Sequence, residues 1–233
     1  MRHRTTWISA GLFLTIIAIF AGQLTAQTPP KKVGRAKDDA VPDSNNSNHD
    51  PSSEIQVWGG YGYNSKTPIG RGVDGSKMGV LAFRYSHRWD MNRLVALKFI
   101  YDLTPMHILS FPQQKQVSNG DGTFRTETVR RTVYGIGTSV GGVQLNFLRK
   151  KKVQPFISLN TGIMFFSKPV PNDEGAKLNF TAEIGTGVDV RLSRERNMHI
   201  GYKFYHVSNF YSGDVNPGFN TNMIFVGYSL KKW

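Results

Sequence analysis

The stretch VALKFIYDL (95–103) places its side chains in two rows of opposite character. Val95, Leu97, Phe99, Tyr101 and Leu103 make an uncharged row, while Ala96, Lys98, Ile100 and Asp102 make a row that holds a cation and an acid. Successive side chains of a β-strand point to opposite faces, so this period of two predicts a strand with one apolar wall and one polar wall. The same division recurs at 178–191: Leu178, Phe180, Ala182, Ile184, Val188 and Val190 oppose Asn179, Thr181, Glu183, Asp189 and Arg191. Eight runs of this kind follow one another, at about 54–63, 77–89, 92–103, 132–147, 153–166, 177–192, 197–208 and 221–232. The fourth changes phase around Gly141–Gly142, which predicts a bulge or kink there.

The connections predict how the runs join. Between runs one and two lies NSKTPIGRGVDGS, whereas runs two and three are separated by DM. Then come TPMHILSFPQQKQVSNGDGTFRTETVRR, RKKKV, SKPVPNDEGA, SRER and NFYSGDVNPGFNT, long and short in strict alternation. Long loops at one end and short turns at the other are the pattern of an even-stranded antiparallel barrel in an outer membrane, with the short turns periplasmic. Closure also leaves no strand edge unpaired in hydrocarbon. A soluble eight-stranded lipid-binding barrel is the competing architecture. Such a barrel would turn its apolar wall inward and scatter charges outside. Here Arg84, Lys98, Asp102, Gln154, Asn160, Glu183, Asp189, Arg191 and Lys203 share one wall in both signs, which fits the packed polar interior of a small membrane barrel. Glu183, Asp189, Arg191 and Lys203 are expected to form an ion-pair network inside it. The fold class expected is all-β, an eight-stranded antiparallel transmembrane β-barrel with long extracellular loops.

The ends of the chain agree with export. Residues 1–26 have a basic start, an apolar run from Ile8 to Ala21 and a small residue at Ala26, the layout of a secretory signal peptide. The run is shorter than the roughly 20 residues a spanning helix needs. Residues 27–53 are rich in Pro, Ser, Asn and Asp and read as a disordered polar leader before a barrel over 54–233. The chain has no cysteine, which excludes disulfides and thiolate metal sites. His87, His107 and His199 lack ligand-like spacing with acids, so no metal or other cofactor is expected. The net charge is +13, without the basic helix or aromatic-interleaved patch that binds nucleic acid, so the readings are a membrane surface as anionic partner or simply solvated turn charges. Lys115, Arg125, Arg130 and Arg131 are candidates to meet lipopolysaccharide phosphates, or simply to be solvated.

One strand breaks the rule of the uncharged wall. In GYKFYHVSNFYSG (201–213), His206 and Ser208 continue the row of Ile200, Tyr202 and Phe204. That row faces lipid, and the strand runs toward a long loop, so both residues are expected at the outer headgroup level. Polar groups there either satisfy the interface or perform chemistry. A serine becomes a nucleophile when a histidine within hydrogen-bond reach takes its proton, and a third group must orient that histidine. Asn209, directly after Ser208, could donate to an oxyanion. A Ser–His pair at the depth of lipid esters points to a lipid acyl ester as substrate.

The stretch YHVSNFYSGDVNPGFN resembles the lipid A 3-O-deacylases, a PagL-like or acyloxyacyl-hydrolase-like family of eight-stranded outer-membrane barrels. The specific match covers roughly the last thirty residues. The resemblance implies hydrolysis of an ester-linked acyl chain of lipopolysaccharide (lipid A), with Ser208 as nucleophile and His206 as base. It further implies an oxyanion or site-ordering role for Asn209 and a loop-supporting role for Asn216. The acidic third member of the family site falls on Asn220, an amide, and Asp214 in the same loop is the alternative third member. The family's small residues after Ser-Asn are here Phe210 and Tyr211. A barrel that keeps these residues without catalysis, binding surface ligands or stabilising the membrane, is the alternative function.

Overall fold

The computed structural model describes residues 52–64, 73–212 and 215–233. The expected signal peptide and all but the end of the expected leader lie outside the described residues, as does Asp214. Eight strands make up the described fold: β1 Ser53–Asn64, β2 Lys77–Asp90, β3 Val95–Ser118, β4 Phe124–Phe147, β5 Val153–Val170, β6 Ala176–Arg191, β7 Asn197–Ser208 and β8 Phe219–Lys232. Each pairs antiparallel with the next, and β8 returns to β1 to close the barrel. The alternation in the sequence is the alternation of the walls. On β3, Ala96, Lys98, Ile100 and Asp102 are buried inside, while Tyr101 and Leu103 are 50% and 59% exposed on the outside.

Exposed apolar residues continue around the exterior through Ile136, Ile184, Ile224 and Val226. A wall of this extent is a liability in water and the expected solvent boundary in a bilayer. Near the short turns, Tyr85, Trp89, Tyr228 and Trp233 are exposed on this wall, as in an interfacial aromatic girdle. The expected bulge lies where the glycines predicted it: the β4–β5 register shifts between Ser139 and Gly141, and Gly141 has a φ of 155°.

The interior is divided into two halves, where the charge pattern predicted one polar network. The half toward the short turns is ionic. Arg84 grips Asp102 with two bonds of 2.7 Å, and Asp102 also accepts from Trp58 Nε1 and Asn160 Nδ2. Lys98 donates to Asp189 at 2.9 Å, and His199 Nδ1 lies 2.6 Å from the same carboxylate. Glu183 pairs with Lys203 at 2.8 Å, and the Lys203 ammonium sits 3.8 Å above the Trp58 ring. Arg191, at the strand end, donates to the Arg149 carbonyl at 3.4 Å. The half toward the long loops is instead an apolar plug that includes Met78, Leu109, Phe111, Val133, Phe166 and Val207. Leu109 and Phe111 come from a stretch read as loop, which is why the sequence hid the plug.

Removing one partner of a buried ion pair leaves the other charged and unpaired, at a cost of about 3–5 kcal/mol. Arg84→Met is therefore expected to lower the urea midpoint of the folded barrel sharply. The double replacement Arg84→Met, Asp102→Leu should recover most of that loss.

At two outer connections among the described residues the strands overrun the barrel. Residues 104–131 were expected as a long loop, but β3 and β4 continue to Ser118 and Phe124 and turn within 119–123. Gly120 and Gly122 take φ of 85° and 86° in that turn, and Thr123 donates twice to Asp121, holding its carboxyl below the usual range. Beyond Phe111 this ladder stands in water with both faces largely exposed, so 112–130 has no apolar row and no period-two signal. Its prolines also argue against strand, yet Pro105 sits at a β3–β4 register shift and Pro112 lies beyond the last β3 residue paired with β2. Similarly, β5 and β6 extend to Val170 and from Ala176.

Arg130 and Arg131 brace this hairpin. Arg130 donates to the Gly75 carbonyl at 3.1 Å, and Arg131 pairs with Asp173 at 2.6 Å and bonds the Pro169 carbonyl. Arg125 pairs with Glu127.

Candidate functional site

The site grows out of the end of β7. Ser208 is the last residue of that strand, and His206 precedes it on the same outward row. The β6–β7 register sets Phe180 beside Ser208 and Ala182 beside His206, while the β7–β8 register sets Asn220 beside His206. Residues directly opposite in an antiparallel pair share a face, so His206 and Asn220 meet on the outer wall. Their side chains are bonded: His206 Nδ1 and Asn220 Oδ1 are 2.6 Å apart. An amide oxygen can only accept, so Nδ1 carries a proton, and in the neutral imidazole Nε2 is then the nitrogen with the lone pair. Ser208 lies two strand positions further on, roughly 7 Å between Cα atoms, on the side of the outer loop. Ser208, Asn209 and Asn220 are buried, and His206 is half-buried.

The loop after Ser208 is organised by Asn209. Its Oδ1 accepts from the Tyr211 N–H at 3.0 Å, its carbonyl accepts from Ser212 N–H at 2.9 Å, and its Nδ2 donates to the Val215 carbonyl at 2.9 Å. Its own N–H donates to Asn216 Oδ1 at 3.1 Å. These contacts tie Asn209 to the loop it precedes, and Asn216 holds that loop through the Asn209 N–H. Asn209→Ala removes two of the bonds and is expected to lower activity about tenfold or more without unfolding the barrel, as read by turnover against unboiled gel mobility.

Phe210 and Tyr211 sit at φ of 52° and 58°, the left-handed region that favours small residues. Each bulky residue there costs about 1–2 kcal/mol, which the Asn209 bonds help offset. Their rings are exposed, and the Phe210 ring meets Phe180 edge-on at 5.4 Å, making an aromatic lip beside Ser208. Gly218 brings the returning chain close: a Cβ there would lie 3.3 Å from the Val207 carbonyl and 3.6 Å from Ser208 Cβ.

Two positions deeper along the wall, the Tyr202 hydroxyl donates to Asn222 Oδ1, a polar pair on the lipid face that the sequence reading passed over. Their signal was present, since Asn222 interrupts the row of Ile224 and Val226. The three histidines noted earlier go to separate places. His87 bonds Ser53, His107 is enclosed beside Phe166 and Tyr205, and His199 joins Asp189.

A closed eight-stranded barrel with an apolar exterior, carrying a Ser–His–Asn row on that exterior, belongs to the class of outer-membrane β-barrels. The family profile described as "Lipid A 3-O-deacylase (PagL)" matches residues 82–229, from β2 through the whole candidate site to β8. The chain thus belongs to the lipid A 3-O-deacylase (PagL) family and is an outer-membrane protein. Among solved structures, the outer membrane enzyme PagL shares 15% identity and superposes with a TM-score of 0.51, over 74% of this chain and 97% of that one. Neisserial surface protein A (NspA) shares 15% identity at a TM-score of 0.42, over 77% of this chain and 96% of its own. Ail, the attachment invasion locus protein of Yersinia pestis, shares 11% at 0.40, over 77% and 97%. No curated protein matches the sequence.

Proposed function

We propose that this protein hydrolyses an ester-linked acyl chain of lipid A at the exterior wall of the barrel, with Ser208 as nucleophile, His206 as base and Asn220 orienting His206. The observation that carries this reading is the 2.6 Å contact between His206 Nδ1 and Asn220 Oδ1, which leaves Nε2 as the lone-pair nitrogen for the serine. Ser208 Oγ attacks the ester carbonyl carbon as its proton passes to His206 Nε2. The tetrahedral intermediate collapses by breaking the bond to the sugar oxygen, which takes the proton back from His206. The acyl-serine is then attacked by water, whose proton goes to His206, and the fatty acid leaves as Ser208 is reprotonated. Ser208 lies at the outer end of β7, the depth at which acyl esters meet the headgroups, and the exposed apolar wall below can guide the chain.

The amide at 220 is the observation that favours the non-catalytic barrel, because an amide orients the imidazole but adds no charge to stabilise the imidazolium. Mass spectrometry of lipid A incubated with the detergent-folded protein decides between them. Loss of one acyl chain is expected. Unchanged lipid A with protein that keeps its heat-modifiable mobility would sink the catalytic reading.

A further inference from the structure

The two ends of the barrel differ in how their charges are arranged. At the outer end cations interleave with acids, as in Arg125 with Glu127 and Arg131 with Asp173. The periplasmic end is lopsided. The β4–β5 turn reads RKKK (149–152), Arg93 lies in the β2–β3 turn, Arg194 and Arg196 in the β6–β7 turn, and Lys231 and Lys232 close β8. The acids among these turns and their edges are Asp90 and Glu195, and Asp90 is shared by Arg88 and Arg149. Lys150, Lys151 and Lys152 are all exposed.

Position makes this excess more than solvated surface. The turns between strands, 91–94, 148–152 and 192–196, are too short to carry their side chains clear of a bilayer's headgroup layer. Directly above them stands the girdle of Tyr85, Trp89, Tyr228 and Trp233, which marks the boundary with hydrocarbon. Two cations lie over these rings: Arg196 at 5.9 Å from the Tyr228 centroid and Lys231 at 5.7 Å from that of Trp233. The cations therefore form a rim around the barrel at the depth of lipid phosphates, drawn from every periplasmic turn and the end of β8.

We propose that this rim binds the headgroups of anionic phospholipids in the inner leaflet of the outer membrane, with Lys150–Lys152 as its strongest point. Each cation near an anionic surface adds an attraction that salt screens. The rim also fixes the barrel vertically, which sets the depth of the outer wall where Ser208 and His206 lie.

The full barrel is folded into phosphatidylcholine vesicles with and without about one third phosphatidylglycerol, and its urea unfolding is followed by tryptophan fluorescence. Wild type is expected to be more stable in the anionic vesicles at low salt and to lose that gain at about 0.5 M NaCl. Replacing Lys150, Lys151 and Lys152 together with Glu should reduce the anionic-vesicle unfolding constant ratio by about a hundredfold. The control Lys115→Glu, Arg125→Glu protein, with charges reversed on the outer hairpin instead, should respond as wild type does. A wild type indifferent to lipid charge, a gain that survives high salt, or a triple variant that keeps the full gain would each overturn the proposal. None of these outcomes depends on whether the protein is a deacylase.

Discussion

Ser208→Ala is expected to leave the acyl chains of lipid A intact, with the deacylation rate reduced at least about a thousandfold. His206→Ala is expected to do the same, and the double variant to lose no more than either single one. The reason is that the two act as one device: without the imidazole the hydroxyl keeps its proton, and without the hydroxyl the imidazole has nothing to activate. Neither change should harm the fold. Both side chains point off the outer wall at the top of β7, away from the ionic and apolar halves of the interior. Heat-modifiable mobility should be that of wild type. Equal effects of the two single substitutions, without additivity, separate a shared catalytic role from two independent lipid contacts. If Ser208→Ala and wild type release fatty acid at the same rate, Ser208 is not the nucleophile.

The second large effect is expected at Asn220. Asn220→Leu keeps the size but removes the oxygen that holds His206 Nδ1–H, freeing the ring to turn and the proton to move to Nε2. A wrongly set tautomer cannot take the serine proton, and a loss of about a hundredfold or more in kcat is expected. Asn220→Asp works in the opposite direction. The carboxylate keeps the acceptor and adds the charge that stabilises the imidazolium, so kcat should rise by about tenfold. The gain has a structural cost, since Asn220 is fully buried and the new charge is exposed to water only through its partner. The urea midpoint should therefore fall while activity rises. An Asn220→Asp protein no faster than wild type would show that orientation alone limits the reaction, or that another loop residue already supplies the charge.

The outer-wall row of Ile200, Tyr202, Phe204, His206 and Ser208 was legible because strand parity is a local property. A residue and its second neighbour share a face whatever else the chain does. The same rule separated Lys98 and Asp102 from Tyr101 and Leu103, and the short turns DM and SRER announced antiparallel neighbours. It failed at 104–131, where Pro105 and Pro112 interrupt the pattern and the ladder beyond Phe111 stands in water with no apolar row. With that hairpin hidden, Leu109 and Phe111 were lost from the interior, and the apolar plug with them. Asn209 was expected as an oxyanion or site-ordering residue because its neighbour is the serine, whereas its bonds to Tyr211, Val215 and Asn216 are ones that no periodicity encodes.

The sequence by itself determined the closed antiparallel barrel, the lipid-facing position of His206 and Ser208, and the family motif they belong to. Only the tertiary structure decided what holds His206. That contact depends on the register between β7 and β8, which sets His206 opposite Asn220 across a loop of ten residues. Register is a non-local quantity: a shift of one residue would turn Asn220 inward and leave the histidine unsupported. The partition of the interior was decided in the same way, by the registers between neighbouring strands, which no local pattern sets.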